Sequence, residues 1–276
     1  MITSPAGSFF ASASPNFLMM RDEIIAELLA QPVIHTKRWQ QLDISDGASA
    51  FGTHEMLNTT IWYDMPETVI GAQRFIEPDL PWAEGHFQER VGGKPVNPGE
   101  WHDRWPYHAH GAGLHLRDDG KYDHNYMERF WCARGLEVEP TVTGVPDLFT
   151  GYRFSVGDLG HVVKQLQRDP TTRQAYLPVW FPEDTGATAR QRVPCSLGYH
   201  FIIRDGKLHV SYWLRSCEIY RHFTNDVYMA VRLGQWMRNE VEAGLTYTLG
   251  QLSINIVSLH AFVGDLPQIH RMMTDA

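Results

Sequence analysis

Cysteine is scarce in this chain: Cys132, Cys195 and Cys217 are the three among 276 residues, and none is spaced as CxxC. That excludes a disulfide framework and argues against a cysteine-built zinc site. Basic charge is also in deficit, with 24 Lys and Arg against 32 Asp and Glu and a net charge of −8. Phosphate backbones are held by clustered cations, so nucleic acid is not an expected partner. No apolar run approaches the roughly 18 residues of a membrane span, and no internal repeat occurs. The opening MITSPAGSFFASASP has neither a basic start nor a continuous apolar segment. Residues 1–20 therefore read as a ragged tail rather than a signal peptide, and a soluble protein of the reducing cytoplasm is expected.

Hydrophobic residues make up 43% of the chain, enough to bury one large core. One α+β domain over 1–276 is expected. RDEIIAELLA (21–30) has helical spacing and LNTTIWYDM (57–65) is rich in strand formers. Residues 83–150, heavy in Gly, Pro, His and Trp, read as a loop-rich insertion of the kind that forms lids or binding loops. VGDLGHVVKQLQ (156–167) predicts an amphipathic helix stopped by Asp169-Pro170, RQAYLPVW (173–180) a short strand, 224–244 a helix, and QLSINIVSLHAF (251–262) a strand.

The sharpest local signal is Asp205-Gly206 between GYHFIIR and KLHVSYWL. A type I′ turn needs positive φ at both central positions, which this dipeptide tolerates, so a two-residue hairpin is expected. If Arg204 faces Lys207, Tyr199 faces Tyr212 and Cys195 faces Ser216. A bulge would shift the count by one, and either way the thiol lies beside Arg215. A guanidinium favours the thiolate, the nucleophilic form, so this pair is a candidate catalytic unit as well as a candidate piece of core. Asp226 is open to two readings: an acid capping the helix at 224, or a group pointing at the same site. His260 and Phe262 share one face of their strand by parity.

VPCSLGYHFIIRDGKLHVSYWLRSCEIYRHFTNDVY resembles, without a gap from 194 to 228, the core of the thymidylate synthase family, in which Pro-Cys opens a hairpin closed by Arg-Ser. LGQLSINIVSLHAF, QRDPTTRQAYLPVW and DLPW (79–82) resemble further family motifs. The resemblance implies a mixed β-sheet flanked by helices, with one sheet face forming a homodimer interface. It implies a pyrimidine nucleoside monophosphate and 5,10-methylenetetrahydrofolate as substrates, with no metal. By the same resemblance Cys195 is the nucleophile that adds to pyrimidine C6. Arg215 and Ser216 hold phosphate, Arg173 reaches the phosphate from the partner subunit, and His260 faces the sugar. Asp79 stands for the catalytic glutamate, with Glu77 a nearby substitute, and Glu218 for an aspartate that contacts the pterin. Phe262 replaces a sugar-binding tyrosine, Gln174 a second arginine, and Ser196 a histidine.

The most informative departure is Asp226, 31 positions after Cys195, where the family has the asparagine that reads uracil. A carboxylate accepts from the N4 amine of cytosine and, when protonated, also donates to N3. The resemblance is thus closest to the deoxycytidylate and cytidylate hydroxymethylases, in which water rather than hydride captures the methylene unit, and dCMP is expected over CMP. Trp101 and Trp105 could stack on the folate or pin a loop. Three alternatives stand beside this reading: methylation or hydroxymethylation of dUMP, a metal-binding insertion built on His102, His108, His110, His115 and His124, and an inactive nucleotide-binding relative.

Overall fold

The turn at Asp205-Gly206 forms as its chemistry dictates, with φ of 51° and 70°. It joins strands β7 (Ser196–Arg204) and β8 (Lys207–Leu214) in the expected register, from Arg204 opposite Lys207 to Gly198 opposite Trp213. A bulge between Ser196 and Gly198 then shifts the ladder, so Ser196 faces Leu214.

This hairpin belongs to a mixed sheet in a computed structural model that describes residues 10–35, 38–39, 42–43, 51–107, 120–132, 157–185, 192–242 and 246–274. The other strands are β1 (Ala11–Ala13), β2 (Val33–Ile34), β5 (Thr53–Asp64), β6 (Tyr176–Pro178), β9 (Cys217–Glu218) and β10 (Thr248–Phe262). Strands β3 (Arg38–Trp39) and β4 (Leu42–Asp43) form a separate ribbon. The sheet order is β1-β5-β10-β8-β7-β6, with β2 on β5 and β9 on β10. β10 runs antiparallel to β5 and parallel to β8 and β9. One face is covered by the helix Thr224–Val241, which buries Val227, Tyr228, Val231 and Leu233 against the core. Helices Phe17–Ala30, Val69–Ile76, Trp82–Val91 and Leu159–Arg168 pack around it.

Three expectations change. Residues 11–20 are not a ragged tail: β1 pairs with β5, and Phe17 and Met20 are fully buried. The segment 83–150 contains a ten-residue helix, Trp82–Val91, whose inward residues are Ala83, His86, Phe87 and Arg90. Two of those four are polar, which hid the helical period from a hydrophobicity reading. The strand expected over 173–180 shortens to Tyr176–Pro178. Residues 108–119 and 133–156 of the insertion lie outside the described residues.

A buried clamp ties the short helix Tyr126–Phe130 to the helical turn Pro182–Thr185 that follows β6. Arg129 donates to both carboxylate oxygens of Asp184 at 2.6 and 2.9 Å, and Asp184 also accepts the Phe181 amide at 2.7 Å. Removing one charge from such a pair leaves the other buried without compensation. Arg129→Met is expected to lower unfolding stability by about 3 kcal/mol, read from denaturant titration, and adding Asp184→Asn should recover part of the loss.

Candidate active site

Cys195 sits just before β7, where the bulge places it. Its carbonyl accepts the Arg215 amide at 2.9 Å. The count made from the turn put Cys195 opposite Ser216; the bulge corrects this to Arg215, because one residue of β7 goes unpaired. Arg215 fastens the Cys195 segment through its side chain as well. Nε donates to the Pro194 carbonyl at 2.9 Å, and Nη2 lies 3.2 Å from the Val193 carbonyl and 3.8 Å from Cys195 Sγ. The guanidinium thus orients the thiol and keeps donor capacity on Nη1. Ser216, half-buried, follows directly.

Asp226 does not cap the helix. A π-helical turn over Ile219–Phe223 runs straight into Thr224–Val241, and the capping acid is Glu218, which accepts from the Tyr220 and Arg221 amides at 3.0 and 2.6 Å. Asp226 is therefore beyond the helix start, and its carboxylate is free of the capping role. It accepts the Cys217 thiol at 3.7 Å. Burial pushes its pKa up to about 6, against the opposing pull of Arg90 and that thiol. Cys217 is itself pushed well up by burial and by the Asp226 charge.

Behind Cys195 and Asp226 lies a chain of hydroxyls: Tyr126 to Ser196 at 3.1 Å and Ser196 to Tyr212 at 2.5 Å. Tyr199 stacks on Tyr212 with ring centroids 4.2 Å apart. Burial raises the pKa of all three tyrosines, and Tyr126 feels both Cys195 and Asp226.

Asp79 joins the site through Asn225. The Asp79 amide donates to Asn225 Oδ1 at 3.0 Å, and Asn225 Nδ2 donates to Asp79 Oδ2 at 2.8 Å. Glu77, exposed at the end of its helix with φ of 55°, has no such tie. Glu218 is 4% exposed, and burial raises its pKa to about 7. Arg221 pairs with Asp265 at 2.6 Å and lies 5.9 Å from the Phe262 ring. His260 contacts Phe262 at 5.3 Å, as strand parity requires, and burial with the Arg215 charge nearby lowers its pKa to about 4.

Trp105 stacks on His222 at 4.9 Å, and Tyr107 meets Tyr220 edge-on at 5.3 Å. These rings bring the insertion over the site. Trp101 is placed differently. Its ring lies so close over Gly85 that a Cβ there would fall 2.1 Å away, its amide is held by Glu89 at 3.0 Å, and Arg104 stacks 4.8 Å over it. Its ring is engaged by the protein, pinning the loop after helix Trp82–Val91.

Although the chain is acidic overall, the site is not. His222 feels Arg192, Arg221 and Arg90, and His124 feels Arg192, Arg129 and Arg215, so both are held below the usual histidine range, first by burial. Such convergence suits an anionic ligand. Among the described residues, no group of three or more His, Cys, Asp or Glu is placed to hold a metal; His108, His110 and His115 lie outside them. Arg173 is exposed beside Gln174, Arg168 and Arg204 in a separate surface cleft of about 660 Å³. It is not brought to Cys195 within one chain. Sequence reasoning missed Arg90, Tyr126, Arg192 and Asn225. Asn225 was legible as the neighbour of Asp226, whereas the others converge only through tertiary contacts.

The family model described as thymidylate synthase matches residues 112–275. Among curated proteins, "Putative thymidylate synthase" of Methanothermobacter thermautotrophicus is 30% identical over 110 residues, 40% of this chain and 46% of that protein. The protein of the same name from Methanosarcina acetivorans is 28% identical over 120 residues, 43% of this chain and 52% of the relative. The matched segment thus spans about half the length of these relatives. Thermostable thymidylate synthase A from Bacillus subtilis superposes with a TM-score of 0.62 at 16% identity, covering 95% of this chain and 84% of that one, a likeness of fold. No helix among the described residues is long and apolar enough to cross a membrane.

Proposed function

The chain belongs to the thymidylate synthase family, and on that premise we propose that it transfers a one-carbon unit to C5 of a cytidine monophosphate, dCMP in preference to CMP, giving the 5-hydroxymethyl nucleotide. The observation that carries this reading is Asp226: a carboxylate beside the Cys195 site, free of the capping role, with a pKa near 6. Cys195 adds to C6 of the base, held for attack by Arg215. Asp226 accepts from the exocyclic amine and in its protonated form donates to N3. Developing charge on the ring is met by donors already in place, which is where electrostatic catalysis is strongest. Asp79, held by Asn225, orders water near the base.

Methylenetetrahydrofolate supplies the one-carbon unit when bound. The residues at the mouth of the site fit a flat, partly polar ring system: Trp105 and His222 stacked, Tyr107 and Tyr220, and the buried Glu218 carboxyl. Trp105 is the residue of the insertion proposed to border the folate, with Trp101 behind it as the pin. Arg215 and Ser216 bind phosphate, His260 and Phe262 border the sugar, and Arg173 crosses to the site of a second subunit in a homodimer.

Mass spectrometry of products from a mixture of dCMP, CMP, dUMP and UMP with the folate tests base, sugar and one-carbon outcome together. The expected product is dCMP plus a hydroxymethyl group, with no dihydrofolate absorbance. Methylated dUMP with dihydrofolate would replace this reading by that of a thymidylate synthase. No product from any of the four would leave a nucleotide-binding protein.

A further inference from the structure

Buried arginines among the described residues are paired, with one exception. Arg21 meets Asp22 at 3.0 Å, Arg129 meets Asp184 and Arg232 meets Glu84 at 2.8 Å. Arg90 is as deeply buried, at 5% exposed, yet it has no ion-pair partner among the described residues and its Nε has no acceptor. An unpaired buried cation is costly, so it persists in a fold where something other than stability requires it. The helix Trp82–Val91 aims Arg90 at the active site. Its Cζ lies 4.1 Å over the Tyr126 ring, and its charge acts on Asp226, Tyr126, Tyr199 and His222.

We propose that Arg90 is a specificity-determining residue of the nucleotide site. It donates to an acceptor on the edge of the pyrimidine, while Asp226 accepts from the exocyclic amine. Arg90 and Asp226 are farther apart than an ion pair yet within electrostatic reach of one another, and Tyr126, coupled to both Asp226 and Cys195, bounds the same space. With Asp226 ionised, a guanidinium and a carboxylate facing one base edge read a donor beside an acceptor, the pattern cytosine presents at N4 and N3, so Arg90 supplies the N3 donor that the protonated acid would otherwise give. Arg90 has a second effect through Asp226. Among the described residues, the groups facing that carboxylate are Arg90 from helix Trp82–Val91, Tyr126, Tyr199, Tyr212 and Cys217, and of these Arg90 is the one cation. It opposes the rise that burial imposes on Asp226.

This proposal rests on the reading of Asp226 as the base-reading group, and the test separates the two. In the full-length protein, Arg90→Met is expected to weaken dCMP binding by roughly 10- to 100-fold, the range of a charge-assisted hydrogen bond. It should also move the acid limb of kcat/KM upward by about one pH unit, because the opposing cation is gone. Arg90→Lys keeps the charge without the planar fork, so it should restore the limb and not the affinity. Deoxyribose 5-phosphate, which lacks the base, should bind both variants as it binds the wild type. If the wild type turns over dUMP and not dCMP, the cytosine assignment fails while the same comparison on dUMP still tests Arg90. Wild-type affinity and an unshifted limb in folded Arg90→Met would overturn the proposal, as would equal weakening of deoxyribose 5-phosphate. If Arg90→Met does not fold, Arg90→Lys decides: wild-type affinity for the nucleotide overturns the proposal.

Discussion

Cys195→Ala is expected to abolish release of tritium from dCMP labelled at C5, by roughly four orders of magnitude or more in kcat, as when a nucleophile is removed from other covalent enzymes. The structure gives no substitute. Cys217 is 3% exposed, bound to Asp226, and its thiol is pushed up by burial, away from the thiolate form. Ser196, next in sequence, is fully buried and tied to Tyr126 and Tyr212. Nucleotide binding should survive within a few-fold, since Arg215 remains anchored to the Val193 and Pro194 carbonyls. Residual tritium release above roughly 1% of wild type would assign the attack to another group.

Asp226→Asn carries the second large effect, on selectivity and on stability in opposite senses. An amide in place of the carboxylate donates to a carbonyl and accepts from an N3–H, so preference should move from dCMP towards dUMP by roughly 100-fold or more. Unchanged base preference would remove the role proposed for this residue. The stability effect follows from the raised pKa, about 6 in the fold against an ordinary aspartate value of 3.8. Between those values the folded protein holds a proton that the unfolded chain has lost, so stability falls as pH rises from near 4 to near 6 and the full penalty persists above. Replacing the acid removes the penalty. Thermal melts should show Asp226→Asn more stable than wild type at pH 8, by on the order of 1–3 kcal/mol, and the gain should shrink towards pH 4. A gain that does not depend on pH would place the carboxylate elsewhere than in a desolvated pocket. The exchange of stability for a charged binding group is what functional sites commonly show.

How far the sequence reached depended on whether a feature was local. The hairpin from Arg204 outward was legible to Gly198, because a two-residue turn imposes one pairing. Beyond Gly198 the count left a one-residue bulge open, and only the formed ladder decided that the shift occurs between Ser196 and Gly198. The helix over Leu159–Arg168 was legible from its apolar period and its stop before Pro170, and the structure adds its cap, Asp158, which accepts the His161 amide at 3.0 Å. Helix Trp82–Val91 was not, because its inward His86 and Arg90 break the apolar stripe: His86 is held by Glu89 and Trp82 of its own helix, and Arg90 lies over the Tyr126 ring.

The sequence by itself determined the family and the placement of Cys195 beside Arg215, because these sit in one continuous segment where turn chemistry and motif spacing suffice. Only the tertiary structure decided that Glu218 caps the helix and frees Asp226, that Asn225 grips Asp79 across 146 positions, and that Arg90 stays unpaired in the site. The physical reason is that charge pairing and burial depend on which elements are packed together, and no spacing along the chain encodes that directly.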